Sequence, residues 1–412
     1  MDCLFDLHLT RRQFGVIMSS VGSEGKTVNV VRRIRVPYII MRMVGYNLLD
    51  YDSNNKMSKT DFCLRSLAIG ATLYMIIPGL VAMTEFDDDL GYLSKTASIM
   101  MTVTQNLGML CNFYYRGSKY RSLIKKMREE LWTETLSPSF WGHFKRFDRY
   151  ATVITACMMQ GFYGASVMFW LLPLLVNDFD LYKDVNAPYR TPFVGKYFYD
   201  HRPSPQFEIT YVGQILCSLC AATVGVALVS FYGTASMHLC AKLRLLNLRF
   251  TGIDATTSER EFIGITREHE FLIRFAKDVE DIHNPILLIH FLLSTLIICL
   301  NIVMLTLASE KQDTLDLVLS MLYFGAAVVE IFILCWVANQ VFVQSENLAR
   351  AIYSCRWYEA SVFVRHGVLL ILARTQRPSV LTAGKFFPVT LESFTTVCST
   401  AASYYTVLIA IA

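Results

Sequence analysis

Seven segments of this chain are apolar over close to, or more than, the ~20 residues a helix needs to cross a bilayer. They run from about Ser66 to Thr84, Thr96 to Tyr115, Tyr150 to Asn177, Ile209 to Ser236, Pro285 to Ala308, Leu317 to Val343 and Phe386 to Ala412. Backbone N–H and C=O groups facing lipid find no water to bond, so segments of this length are predicted as helices. The fold class is therefore an all-α integral membrane protein of seven transmembrane helices, with residues 1–412 read as one seven-helix unit. Composition agrees: 53% of the 412 residues are hydrophobic and 17% charged, and the mean hydropathy is +0.38, too apolar for an ordinary soluble domain.

Orientation follows from the basic residues between the spans. The connections after spans one, three and five hold Lys95, then Lys183, Arg190, Lys196 and Arg202, then Lys311, six of the chain's 38 Lys and Arg. The N-terminal segment and the other connections hold nearly all the rest, so the N-terminus is expected in the cytoplasm and the C-terminus outside. The acidic run 85–92 in the first outer connection fits this. The longest outer connection, 176–208, carries four prolines among Tyr, Phe and Asp and reads as a lid over the outer helix ends. Residues 237–282 and 344–384 show apolar residues at helical spacing among charges. They read as extensions of the later helices beyond the membrane, with a helix over Ala360–Arg374.

The terminal span holds one charged residue, Glu392, and many small or hydroxyl residues, among them Thr395, Thr396, Ser399, Ser403 and Thr406. Pro388 suits a first helical position and Gly384 a turn just before it. Small residues permit close helix packing, and hydroxyls tolerate a water-filled pore; composition leaves both open.

Other motifs carry less. DRY at 148–150 opens a span instead of closing one, and Asn284-Pro285 precedes the fifth span, so neither supports a G-protein-coupled receptor. Glu330 lies near the middle of the sixth span, where an isolated charge costs ~2.5–3.5 kcal/mol; it reads as a hydrogen-bonded packing carboxyl. His238 and His290 lack the partners of a metal site, and the lone CxxC at 217–220 lies inside a span. Nine of the eleven cysteines fall within or beside apolar runs, so no disulfide framework is expected. No nucleotide-binding, metalloprotease or hydrolase signature occurs, so no enzyme, cofactor, metal or nucleic-acid partner is expected.

The outer halves of spans three and six are rich in aromatic and Met residues without charge. Such faces suit an apolar cavity with a few hydroxyls and a small, uncharged, lipophilic ligand. Phe162, Ser166, Phe169, Trp170 and Tyr323 are the candidate ligand-binding residues.

The run 353–408 is the most specific stretch. Cys355 and Trp357-Tyr358 precede a helix; Arg374-Thr-Gln-Arg-Pro378, Leu381-Thr-Ala-Gly-Lys385, Phe387-Pro388, Leu391-Glu-Ser-Phe394 and Ser403-Tyr-Tyr-Thr-Val407 follow. This region resembles the signature region of the insect odorant receptors; elsewhere the likeness is one of length, spans and orientation. The resemblance implies an odorant-tuned subunit of a ligand-gated, non-selective cation channel. It implies four subunits around one pore, assembly with a shared co-receptor subunit, a last helix lining the pore, and helices four to seven extended into a cytoplasmic anchor. It also implies an odorant site in the outer half of the bundle among helices two, three, four and six. The connection between spans four and five lacks the long insertion of the co-receptor. A pore-constricting apolar residue then falls at Val407, with Ser403 and Ile411 on the same stripe. The implied partners are the co-receptor, a small apolar volatile odorant, membrane lipid and permeant cations. The implied location is the plasma membrane, in dendrites of olfactory neurons. A metabotropic seven-helix chemoreceptor is the alternative.

Overall fold

A computed structural model describes residues 33–46, 58–84, 90–132, 138–178, 191–193, 195–200, 203–311 and 314–411. Among these residues are nine α-helices. A short helix α1 (Arg35–Met43) precedes six long ones: α2 (Lys59–Thr84), α3 (Leu90–Glu129), α4 (Pro138–Asp178), α5 (Gln206–Thr251), α6 (Glu259–Lys311) and α7 (Thr314–Ser354). A 3₁₀ turn at Trp357–Glu359, helix α8 (Val362–Thr375) and a hairpin of β1 (Thr382–Ala383) and β2 (Phe387–Pro388) lead to the last helix, α9 (Leu391–Ile411).

Five of these helices, α2, α4, α5, α6 and α7, are long and apolar enough to cross a membrane. Helices α3 and α9 occupy the second and seventh expected spans, and polar side chains dilute both. In α3 these face inward: Ser94, Thr96, Ser98, Gln105, Asn106 and Asn112 are buried. In α9 they face outward, where Thr395, Thr396, Ser399, Ser403 and Thr406 are exposed.

Helix α5 is the axis. Every residue from 222 to 243 is buried, as a helix apolar all round requires. Small residues bring its neighbours close: a Cβ on Gly233 would meet Ile154 Cγ2 at 2.9 Å, and one on Gly225 would meet the Phe162 ring at 2.7 Å. Helices α4 and α7 pack against α5, and α3 pairs with α6. The starts of α3 and α7 meet at one end of the bundle, where Lys95 pairs with Asp316 at 2.8 Å. At the other end, α5, α6 and α7 run on past the expected spans and pack with the 3₁₀ turn and α8. There Lys242 and Arg249 both pair with Glu268, at 3.0 and 2.6 Å. The Arg356 N–H donates to the Ile253 carbonyl at 3.1 Å. The motif residue Asp148 pairs with Arg33 at 2.7 Å, a structural tie between α4 and the N-terminal segment.

The last helix starts later than its sequence suggests. Pro388 lies in β2, not at the first helical turn, because the hairpin holds it opposite Thr382. Gly384 and Lys385 supply the turn with φ +66° and 66°. Pro285 explains where this hairpin docks. Lacking an N–H, it leaves the Asp281 carbonyl without its helical donor, and Arg116 donates to that oxygen instead. The preceding Asn284 turns its amide onto the Thr382 carbonyl and hydroxyl at 3.2 and 2.9 Å, while the Gly384 N–H donates to the Asn284 carbonyl at 3.3 Å.

Candidate functional site

A cavity of about 600 Å³ opens inside the half of the bundle nearest the starts of α3 and α7. Helices α2 to α7 all contribute to its wall. The packing helices leave this space because their facing residues are small or flexible: Ala71, Gly161, Gly164, Ala165, Ala221, Ala326 and several Met.

Aromatic rings close one end. Phe169 of α4 stacks on Phe193 of the α4–α5 connection with centroids 5.7 Å apart and planes at 11°. Tyr323 of α7 meets Phe169 edge-on at 6.1 Å. Phe193 is fixed through its backbone: its N–H donates to Gln214 Oε1 and its carbonyl accepts from Gln214 Nε2, both at 3.0 Å. Two residues on, a Cβ at Gly195 would meet Pro78 Cβ at 3.1 Å, and the Lys196 N–H donates to the Pro78 carbonyl at 3.0 Å. The described part of this connection therefore packs on α2 and α5; residues 179–190, 194, 201 and 202 of the expected lid lie outside the described residues.

Of the five residues singled out from sequence, Phe162, Ser166, Phe169 and Tyr323 line the cavity. The Ser166 hydroxyl donates to the Phe162 carbonyl of its own helix at 2.8 Å, which leaves its oxygen as an acceptor. The Tyr323 hydroxyl bonds Thr102 and also the Ser98 carbonyl, at 3.0 Å, pinning α7 to α3. Trp170 stands apart. Its indole Nε1 donates to Ser218 Oγ at 2.8 Å and its carbonyl accepts from Tyr211 at 2.6 Å, so it braces α4 against α5 behind the wall.

The opposite end of the cavity is polar, and sequence reasoning missed most of it. Gln105 and Asn106 of α3, Ser294 of α6 and Glu330 of α7 line it. Gln105 Nε2 donates to Ser294 Oγ at 2.9 Å. One turn before Ser294, His290 is fully buried with Nδ1 3.4 Å from Glu330 Oε1. The signal available was the amide pair Gln105-Asn106 inside an apolar segment, which insertion into lipid disfavours unless the pair faces protein.

Helix α9 has two unlike faces. Ser393, Val397 and Ala401 are buried against the bundle. Ser403 is exposed, as are Tyr404 at 48% and Val407 at 56%. Val407 is thus more than half exposed on the outward face. The side chain of Ile411 lies outside the described residues. The outward hydroxyls donate to carbonyls of their own helix, Ser403 to Ser399 at 3.0 Å and Thr406 to Ser403 at 2.7 Å. Their oxygens remain free to accept.

A sequence profile described as 7tm Odorant receptor matches residues 89–402. The chain is 27% identical over 329 residues to Odorant receptor 13a of Drosophila melanogaster, covering 74% of this chain and 76% of that one. It is also 27% identical over 143 residues to the Odorant receptor coreceptor of Anopheles gambiae, covering 34% of this chain and 29% of that one. Among solved structures it resembles the insect olfactory receptor OR5 from Machilis hrabei in complex with eugenol. The TM-score is 0.81 at 20% identity, over 92% of this chain and 98% of that chain.

Proposed function

The chain belongs to the insect 7tm odorant receptor family, and from that premise we propose that it is the odorant-binding subunit of a ligand-gated, non-selective cation channel. The observation that carries this reading is the cavity of about 600 Å³, closed by the Phe169–Phe193 stack and Tyr323. Its volume suits one small molecule, and its mostly apolar wall suits a volatile, uncharged one. The complex of OR5 with eugenol, in a similar fold, supports a ligand of this size. The channel half of the reading rests on α9. A stripe of exposed hydroxyls and small residues is poorly suited to lipid and well suited to a water-filled path at the centre of an assembly. Four subunits, this chain together with the co-receptor, would each contribute one such helix. The basic-residue asymmetry supports a cytoplasmic N-terminus and the cavity in the outer half of the bundle, and family membership supports the plasma membrane of olfactory neuron dendrites as the location.

The test is electrophysiological. Cells expressing this chain with a co-receptor should pass odorant-evoked cation current within milliseconds, without a G protein. The substitutions Phe162→Ala, Phe169→Ala and Tyr323→Ala should each re-rank an odorant panel by about 1–3 kcal/mol per methylene gained or lost in fit. Current that requires a G protein, or three variants with the parental ranking, would reject the reading.

A further inference from the structure

The cavity's polar end contains more hydrogen-bonding capacity than the protein itself uses. Asn106 donates its Nδ2 to the Thr102 carbonyl at 3.0 Å, but its Oδ1 is buried with no hydrogen-bond partner. Glu330, with a side chain only 12% exposed, has Oε1 buried and without a hydrogen-bond partner. Both residues line the cavity. Asn106 stands one helical turn inward from Thr102, and Glu330 two turns inward from Tyr323, so both lie on the same side of the Thr102–Tyr323 bond that closes the aromatic end.

The two open groups are acceptors. A buried acceptor left unmatched costs about 1–3 kcal/mol, so a molecule that brings a donor to this end gains that amount over one that does not. The charge of the donor is constrained as well. His290 sits behind Glu330 at 3.4 Å, fully buried, and does not itself line the cavity. A carboxylate at this depth needs a cationic partner, and His290 is placed to be one, its Nδ1 near Oε1 without making a hydrogen bond to it. The ligand therefore need not carry a positive charge, and a cationic head would compete with His290 for the same oxygen while remaining poorly solvated by the apolar wall.

We propose that Glu330 and Asn106 form a head-group site for an uncharged hydroxyl donor. The preferred odorants of this receptor are then alcohols or phenols, with the apolar body between Phe162, Phe169 and Tyr323 and the hydroxyl at the Glu330 end. This deepens the odorant-site reading above and depends on it. Gln105 donates to Ser294 and the two shape the site without being required as donors to the ligand.

The experiment uses the full chain expressed with a co-receptor and a panel of matched triplets. Each triplet places an alcohol, its methyl ether and the corresponding primary amine on one apolar skeleton, benzyl alcohol, benzyl methyl ether and benzylamine among them. The alcohols should activate at concentrations about tenfold or more below their ethers, and below the amines. Glu330→Leu should bring the alcohol-to-ether ratio to about one, while Glu330→Gln, which keeps a carbonyl acceptor at the same reach, should retain most of the preference. If Glu330→Leu fails to reach the surface, Asn106→Leu should lower the ratio in the same direction. Ethers or amines that equal or outrank alcohols in the parent, a panel on which no alcohol activates, or a preference that survives both leucine variants would overturn the proposal. The cavity reading fails separately, when Phe169→Ala leaves the ranking of skeletons unchanged.

Discussion

Gly225 illustrates how one residue sets the size of the cavity. A Cβ there would lie 2.7 Å from the Phe162 ring, closer than side chains approach one another. Helix α5 is fixed on all sides, so the ring has to give, and the free space beside it is the cavity. Gly225→Ala should therefore cost only about 1–3 kcal/mol as an overpacking change while displacing Phe162 into the cavity. The expected result is a shift toward smaller agonists, seen as larger losses for long skeletons than for short ones. An unshifted size preference, with the protein at the surface, would show that the Phe162 ring does not bound the ligand. Gly233→Ala provides the comparison, because the atom its Cβ would meet belongs to Ile154, which does not line the cavity.

At the scale of elements, the hairpin before α9 depends on α6. Asn284 makes two hydrogen bonds to Thr382 and accepts one from Gly384, and Glu280 also takes the Thr382 hydroxyl. Asn284→Leu leaves the half-buried Thr382 carbonyl without its amide donor and should lower stability by about 1–3 kcal/mol. This is measurable as earlier thermal unfolding of the purified full chain, and Asn284→Asp, which keeps the size but not the donor, should fall on the same side. Unchanged melting in both would mean that β1 and β2 hold the hairpin without α6. These elements also mark what the sequence could reveal. The long apolar runs and the helical spacing of Leu243, Leu246, Phe250 and Phe275 suffice for the helices and their extensions, since each is a local periodic signal. Pro388 misled because a proline fits a first helical turn and an edge strand equally well, and only the pairing with Thr382, six residues away, decides between them. In the cavity, Phe162, Phe169 and Tyr323 were legible as aromatic residues on charge-free half-spans. Trp170 looked equivalent but faces Ser218, which a linear pattern cannot express. The polar end was hidden for the same reason: Gln105 meets Ser294 across 189 positions of sequence.

At the scale of the whole molecule, α9 turns outward a face that mixes hydroxyl-bearing and apolar side chains. Val407 is 56% exposed near the end of α9, on a face that also carries Ser403 and Thr406. An apolar side chain at the far end of a hydroxyl-lined stripe can close a narrow path by excluding water, with no charged plug. Ligand binding opens such a path only if the ligand prefers the open state, so the cavity and α9 have to be linked by helices that move together. Helix α6 is suited to that role, since it contributes Ser294 and Ile297 to the cavity wall and packs along α9, where Thr306 bonds Tyr405 at 3.1 Å. Val407→Cys, assembled with a co-receptor and exposed to a membrane-impermeant thiol reagent in the outer solution, examines orientation and gating together. Modification should change the current, and it should proceed several-fold faster while odorant is present. Val407→Ala should raise the leak without odorant, because a smaller ring excludes water less well. A cysteine that reacts only from the cytoplasmic side would reverse the orientation inferred from the basic residues. One that never reacts, with leak and ion selectivity at parental values in both variants, would reject Val407 as a pore-lining residue.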